Sequence, residues 1–255
     1  MKYTEYGAEN RDVMILLHGG GLGPWNYRKE AEVLAQKFHV ILPVLDGHRG
    51  SGRNFLSIEE NARTLLAFID DRFGGNVLLL GGLSLGGQIV AEMLSLRSEI
   101  CRFAIIESAQ VLPMPVTACL IKPILAVSFP LVKKRWFAKL QFASLHMKPE
   151  FFEEYFRDSK AITKDNLTAI LKANMAYSIK KSISKTQAEV LVLAGSRERK
   201  IMKTSVGVTG SLLARSSTEI LQGYRHGELS LAHPGEYAEK LLKLINRNKG
   251  EDENE

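Results

Sequence analysis

Ser84 stands in the run GGLSLGGQIV at 81–90, where glycines leave its hydroxyl almost bare. The segment Gly82-Leu83-Ser84-Leu85-Gly86 fits G-x-S-x-G, following the apolar run NVLLL at 76–80 and preceding a helical pattern that starts near Gln88. A serine on a sharp strand-to-helix turn has a strained backbone, and its oxygen projects above the sheet at a helix N-terminus. Glycines on either side make room for that turn. The chemistry suited to such a hydroxyl is nucleophilic attack, which needs a base for its proton and donors for a developing oxyanion. LLHGGGLGPW at 16–25 offers the donors: the N–H of Gly20, or alternatively of Gly21, pairs with that of Leu85 to form the hole.

The elements that must hold these groups are legible as short apolar runs: VMILL at 13–17, HVILP at 39–43, NVLLL at 76–80, FAII at 103–106, VLVL at 190–193 and TEIL at 218–221. Runs that are apolar on both faces are expected of buried parallel strands. Helical patterns lie between several of them. Ser57 with Glu60 forms a capping box ahead of Ile58, Ala62, Leu65, Leu66 and Ile69, which make one stripe at 3.6-residue spacing. Alternating strand and helix predicts a mostly parallel, doubly wound α/β sheet, because parallel strands need crossover connections. The alternation stops near Leu112 and resumes near Glu189. Pro113, Pro115, Pro123, Pro130 and Pro149 lie between, with helical patterns at Phe151, Phe152, Tyr155 and Phe156 and at Leu167, Ile170 and Leu171. A structureless loop of that length is improbable in a compact domain, so 112–187 is expected to form a helical cap inserted in a core of 1–111 and 188–255. Tyr237, Leu241, Leu244 and Ile245 mark a final amphipathic helix packing back on the sheet.

His18-Gly19-Gly20-Gly21, the turn Asp46 to Gly52, Gly82-x-Ser84-x-Gly86 and a late His226 together resemble the α/β-hydrolase family over nearly the whole chain outside the cap. The resemblance implies an eight-stranded, mostly parallel sheet and the chain order nucleophile, acid, histidine. With only about 12 residues before VMILL, the family's first strand or two must here be shortened or missing. The resemblance also implies the base. His226 lies five residues beyond the last strand and ahead of Pro234, matching the family's G-x-x-H placement, with His233 as the lesser alternative. His18 and His39 read as structural, and His48 sits in a turn near the site mouth. The family's acid follows the strand at 190–193, where LAGSRERK offers Glu198 in place of an aspartate; Glu107, ending the FAII strand, is the rival. A glutamate can orient the imidazole and stabilise the imidazolium, but its extra methylene demands a retracted backbone. Trp25 is expected beneath the oxyanion loop, and Trp136, Phe137, Phe142, Phe151 and Phe152 divide between the cap's own core and a pocket lining.

At 255 residues, 45% of them hydrophobic, the chain can bury a substantial core. Its net charge of +6 is regional: lysines crowd between Lys122 and Lys185 while the tail GEDENE is acidic, which reads as a solvated helical surface, not a nucleic-acid patch. Cys101 and Cys119 form neither a disulfide framework nor a metal cluster and are read as reduced and structural. No uninterrupted apolar run reaches the ~18 residues of a bilayer span and the start lacks a secretory h-region, so no integral membrane segment and a cytoplasmic setting are expected. The expected activity is that of a carboxylesterase-like serine hydrolase on a small-molecule ester with an apolar part. Ser84, His226 and Glu198 would be catalytic, Gly20 and Leu85 would form the oxyanion hole, and no metal or organic cofactor would take part. A thioesterase, lyase or carbon-carbon hydrolase, and a ligand-binding module without turnover, are the competing readings, because fold does not fix chemistry.

Overall fold

The computed structural model describes residues 1–247; the acidic tail at 250–255 lies outside the described residues. Seven strands form one sheet: β1 (Tyr3–Tyr6), β2 (Val13–Leu17), β3 (His39–Pro43), β4 (Val77–Leu83), β5 (Cys101–Glu107), β6 (Glu189–Gly195) and β7 (Ser216–Leu221). Their order is β1-β3-β2-β4-β5-β6-β7; β1 runs antiparallel to β3 and every other pairing is parallel. A single short strand, β1, lies ahead of VMILL, and the described residues form seven strands where the resemblance implies eight. The helices are α1 (Arg28–Leu34), α2 (Ile58–Phe73), α3 (Leu85–Leu96), α4 (Pro115–Val132), α5 (Arg135–Ser144), α6 (Phe152–Ala161), α7 (Lys164–Ala176), α8 (Lys200–Leu212), α9 (Glu228–Ala232) and α10 (Pro234–Arg247).

Alternation along the strands divides the core in two. Ile15 and Leu17, Ala104 and Ile106, and Val190 and Val192 face α2 and α3. Met14 and Leu16, Phe103 and Ile105, and Leu191 and Leu193 face α1 and α10. Since successive side chains point to opposite faces, near-continuous apolar strands require cover on both. The Ser57 hydroxyl caps α2 by accepting from Glu60 N–H at 3.1 Å, and Gly74 ends that helix in the left-handed conformation.

Helix α3 begins at Leu85, three residues earlier than Gln88, so Ser84 abuts the helix with no spacer. The interval between β5 and β6 holds α4 to α7 and no strand among the described residues. Polar contacts tie these helices to the sheet layer: Trp25 Nε1–H donates to Asp158 of α6 at 2.7 Å, and Asn166 of α7 accepts from Phe55 N–H at 3.0 Å. Trp25 thus reaches α6 while its ring stacks on Phe151.

Helix α4 spans 18 residues at a mean hydropathy of 1.8, long and apolar enough to cross a bilayer. Lys122 interrupts the run without lowering its average enough to matter. Cys101 is buried in β5, and its thiol is pushed up to about 12 by burial; Cys119 is exposed on α4 and so is not a core residue.

The elbow rests on close backbone approach. A Cβ on Gly86 would lie 2.1 Å from the Leu17 carbonyl oxygen, and one on Gly82 would lie 2.3 Å from the Gly86 carbonyl carbon. Gly86→Ala is therefore expected to destabilise by about 3 kcal/mol or more, since backbone is what must move. Gly207→Ala, on α8 with open space around its Cα, should stabilise by about 0.5–1 kcal/mol. Thermal melts of the two variants give opposite signs if the elbow is limited by space.

Candidate active site

The bend from β4 into α3 fixes Ser84 at φ 52° and ψ −110°, a conformation L side chains rarely adopt. Two backbone hydrogen bonds hold it there: Ser84 N–H donates to the Glu107 carbonyl at 2.8 Å, and Gln88 N–H donates to the Ser84 carbonyl at 2.9 Å. As the first residue of α3, Leu85 has an N–H with no intrahelical acceptor, and the helix dipole adds positive potential around it.

The loop after β2 carries three glycine N–H groups in a row, at Gly19, Gly20 and Gly21. Gly19 N–H donates to Asn26 Oδ1 at 3.3 Å, and Gly21 N–H to His48 Nε2 at 2.9 Å. Gly20 N–H, between them, enters no hydrogen bond among the described residues. A Cβ on Gly20 would sit 3.6 Å from Leu85 Cβ, which places the two backbones side by side. His48 and His18 hold the loop as neutral rings. His48 accepts at Nε2 and donates from Nδ1 to the Asp46 carbonyl; burial drives its pKa down to about 4. His18 donates from Nδ1 to the Gly19 carbonyl and accepts from Leu45 N–H, and burial, with His48 nearby, lowers its pKa far below the ordinary value.

Glu198 lies in the turn after β6 and is buried. Its Oε2 is 2.7 Å from His226 Nδ1, and its Oε1 accepts from Gly195 N–H at 2.7 Å and from Ser108 Oγ–H at 2.8 Å. The side chain curls back over its own turn, and this takes up the extra methylene. Burial opposes ionisation, but the hydrogen bond and charge of His226, with those of Gly195 and Ser108, outweigh it and hold the carboxyl below its usual range. Neither Arg197 nor Arg199 pairs with it among the described residues. With Nδ1–H given to this carboxylate, His226 keeps Nε2 as its acceptor.

Glu107, the rival, turns the other way. It shares the strand face of Phe103 and Ile105, its Oε1 accepts from Ser230 N–H at 3.2 Å, and its Oε2 has no partner. Burial pushes its pKa up to about 7, despite help from Ser230 and the charge of His226.

Ser108 is the residue that the motifs did not point to. It sits at φ 52° just past β5, donates to Glu198 and accepts from Gly227 N–H at 3.1 Å, so it joins the carboxylate to the residue after His226. Its only sequence signal is its place at the carboxyl end of a central strand, where α/β sheets build their sites.

Ser84 and His226 line two cavities. One, of about 360 Å³, is apolar and roofed by Leu125, Val132, Phe137, Ile162 and Leu171, with Gly20 in its wall. The other, of about 350 Å³, is lined by Arg197, Arg199, Arg225, Gln110 and Asn174. Among the described residues no hydrogen bond joins Ser84 Oγ to His226, a contact that in uncomplexed sites is often long. Of the five aromatics singled out between 136 and 152, only Phe137 lines the apolar cavity. Phe142 and Phe151 are buried in the core, Phe152 packs against it, and Trp136 is exposed. His233 lies 4.0 Å from Glu228 and borders neither cavity.

Solved structures similar to this chain include an esterase from Thermogutta terrifontis (15% identity, 96% of this chain and 93% of the other, TM-score 0.79). A carboxylesterase from the thaumarchaeon Nitrososphaera gargenis matches at 14% identity over 97% and 95% of the two chains, TM-score 0.77. An enol-lactonase from Burkholderia xenovorans LB400 matches at 11% identity over 96% of each, TM-score 0.79. At these identities the likeness is one of fold. No curated protein matches by sequence. The sequence model of the alpha/beta hydrolase family matches residues 14–240, nearly the whole described chain, and the protein belongs to that family.

Proposed function

We propose that this chain is a serine hydrolase that cleaves a carboxylic ester with an apolar acyl part, and that the helices of 112–187 act as a cap over its site. The observation that carries the reading is the pairing of His226 with Glu198 at 2.7 Å while His226 and Ser84 border the same cavities. Ser84 Oγ attacks the ester carbonyl carbon as its proton passes to His226 Nε2. The N–H groups of Gly20 and Leu85 take the charge that forms on the carbonyl oxygen. Collapse expels the alcohol, which receives that proton from His226, and leaves the acyl group on Ser84. Water then attacks the acyl carbon, gives a proton to His226, and releases the carboxylic acid as the proton returns to Ser84. Glu198 keeps the ring oriented and stabilises its cationic form. The apolar cavity suits the acyl chain, and the three arginines of the second suit a polar or anionic alcohol part. Free thiols at Cys101 and Cys119 agree with a reducing, cytoplasmic setting.

Two measurements test the chemistry. Intact mass after exposure to a fluorophosphonate should show one adduct, absent in Ser84→Ala, and Ser84→Ala should lose nearly all ester turnover while melting as the parent does. Undiminished turnover in that variant would remove Ser84 from the mechanism.

The two glutamates should separate cleanly. Glu198→Gln removes the acceptor that sets the His226 tautomer and should lower kcat by roughly 10³–10⁴-fold. Glu107→Gln should leave kcat within a few-fold and change stability instead. A carboxyl whose folded pKa is raised keeps its full stability below the ordinary range and loses it as pH rises through about 7. Glu107→Gln should therefore match the parent at pH ~4 and exceed it by up to about 3 kcal/mol above pH ~8, read by denaturant titration. A large kcat loss in Glu107→Gln with Glu198→Gln active would reverse the assignment.

A further inference from the structure

Helix α4 is apolar on both sides, and only one side is used by the fold. Ala118, Leu125 and Val132, spaced by seven, are buried, and Leu125 and Val132 roof the apolar cavity. On the opposite side Val116, Leu120, Ile124, Val127 and Leu131 recur at four- and three-residue steps, which on a helix is one straight stripe. All five are exposed, Val116 at 74% and Val127 at 83%. On helix α5, Phe137 and Gln141 face the cavity, while Trp136 and Leu140 are 56% and 63% exposed. On α5 the exposed pair lies one position, about 100° of turn, from the cavity-facing pair.

The charged residues of α4 and α5 themselves have one sign, and the nearest acid is Glu153 of α6. Residues 108–149 contain no aspartate or glutamate and six lysines and arginines. Arg135 is spent on Glu153, and Lys133 donates to the carbonyls of Lys160 and Ile162. Lys122, Lys134 and Lys139 are exposed and enter no ion pair among the described residues. An apolar stripe with a tryptophan and free lysines matches the two halves of an anionic bilayer surface, its acyl layer and its headgroups. A second copy of the chain would bring the same positive charge to the contact and is the poorer occupant.

The geometry favours lying on a membrane over crossing one. Pro123 and Pro130 inside α4 lack N–H groups, which deprives the carbonyls of Cys119 and Ala126 of helical donors. Unpaired carbonyls are costly in hydrocarbon but find water or headgroups at the interface. The inner side of α4 is also committed to the cavity roof. We propose that α4 and α5 form a peripheral docking surface for an anionic lipid bilayer, with α4 in the interface plane. This surface does not depend on the chemistry at Ser84.

Sedimentation of the full chain with vesicles tests it. Vesicles of phosphatidylcholine mixed with phosphatidylglycerol should carry the protein down, and those of phosphatidylcholine alone should do so at least ~10-fold less well. Val127→Glu, and separately Lys134→Glu with Lys139→Glu, should each weaken partition by ~10-fold or more, with unchanged melting and unchanged turnover of a water-soluble ester. A parent chain that stays in the supernatant, or that binds both vesicle types equally, overturns the proposal. So does light scattering that shows a dimer dissociated by Val127→Glu, because the stripe would then be covered by a second copy. Loss of ester turnover in Ser84→Ala leaves the sedimentation result untouched, so the two readings stand or fall separately.

Discussion

The first turn of α3 lies against the end of β2 so closely that the Leu17 carbonyl occupies the space a side chain at residue 86 would need. The arrangement of the site follows from that contact. It brings the N-terminus of the helix beside the loop that leaves β2, and so sets the backbone of Gly20 alongside that of Leu85. Across the sheet the same device recurs: a Cβ on Gly195 would lie 2.1 Å from the Tyr224 carbonyl. That approach locks the Glu198 turn to the loop carrying His226. Backbone hydrogen bonds from Ser84 to Glu107 and from Ser108 to Leu193 join the two halves through the middle strand. Two sites of backbone crowding thus position a hydroxyl, an imidazole and a carboxylate that lie far apart in the chain.

Burial alone does not decide what a carboxylate becomes. Glu198 and Glu107 are both buried within one corner of the sheet, yet their ionisation moves in opposite directions. Glu198 receives two hydrogen bonds on one oxygen and an imidazole on the other. Glu107 receives one donor, leaves an oxygen unpaired, and faces the buried hydroxyls of Tyr27 and Tyr237 and the carboxyl of Glu30, whose own ionisation burial also suppresses. Three donors against one separate a carboxyl held below its ordinary pKa from one pushed up to about 7, because each hydrogen bond to the charged form replaces hydration lost on burial. The same logic keeps His18 and His48 neutral: each is surrounded by backbone groups and no carboxylate bonds to either ring, so they serve the loop as fixed acceptors.

Much of this was legible in the sequence, and for a physical reason. Buried parallel strands must be apolar throughout, so β2 to β6 stood out as unbroken runs, and a turn that excludes side chains must be written in glycine. Strand β1 was not visible, since Tyr3–Tyr6 is a short edge strand exposed at its middle and lacks the apolar signature. Glu198 could be placed only by its position after a strand; its advantage over Glu107 lies in hydrogen bonds closed by Ser108 and Gly195, which no local pattern encodes. Ser108 itself was missed because a serine after a strand is common, and only the tertiary meeting of β5 with the loop before α9 gives it partners. The apolar character of α4 was diluted in the sequence by Lys122 and two prolines, and length with average composition revealed what an unbroken-run criterion did not.

A helix that roofs an apolar cavity and also presents an apolar exterior has no polar side by which water alone could orient it. Most surface helices resolve this by a single stripe, polar opposite apolar. In α4 the inner stripe is satisfied by the cavity and by packing among the neighbouring helices, so the outer one represents a free-energy cost for a protein that stays in water. The cost is retained beside a set of unpaired lysines and in a segment free of acidic residues, a combination that is unfavourable for self-association and favourable at an anionic surface. The same residues that close the cavity from above are therefore continuous, through the thickness of one helix, with the face best suited to lipid. A shift of α4 on contact with a bilayer would act directly on the walls of the cavity that holds Ser84, since Leu125 and Val132 are separated from the outer stripe by no more than the helix backbone itself.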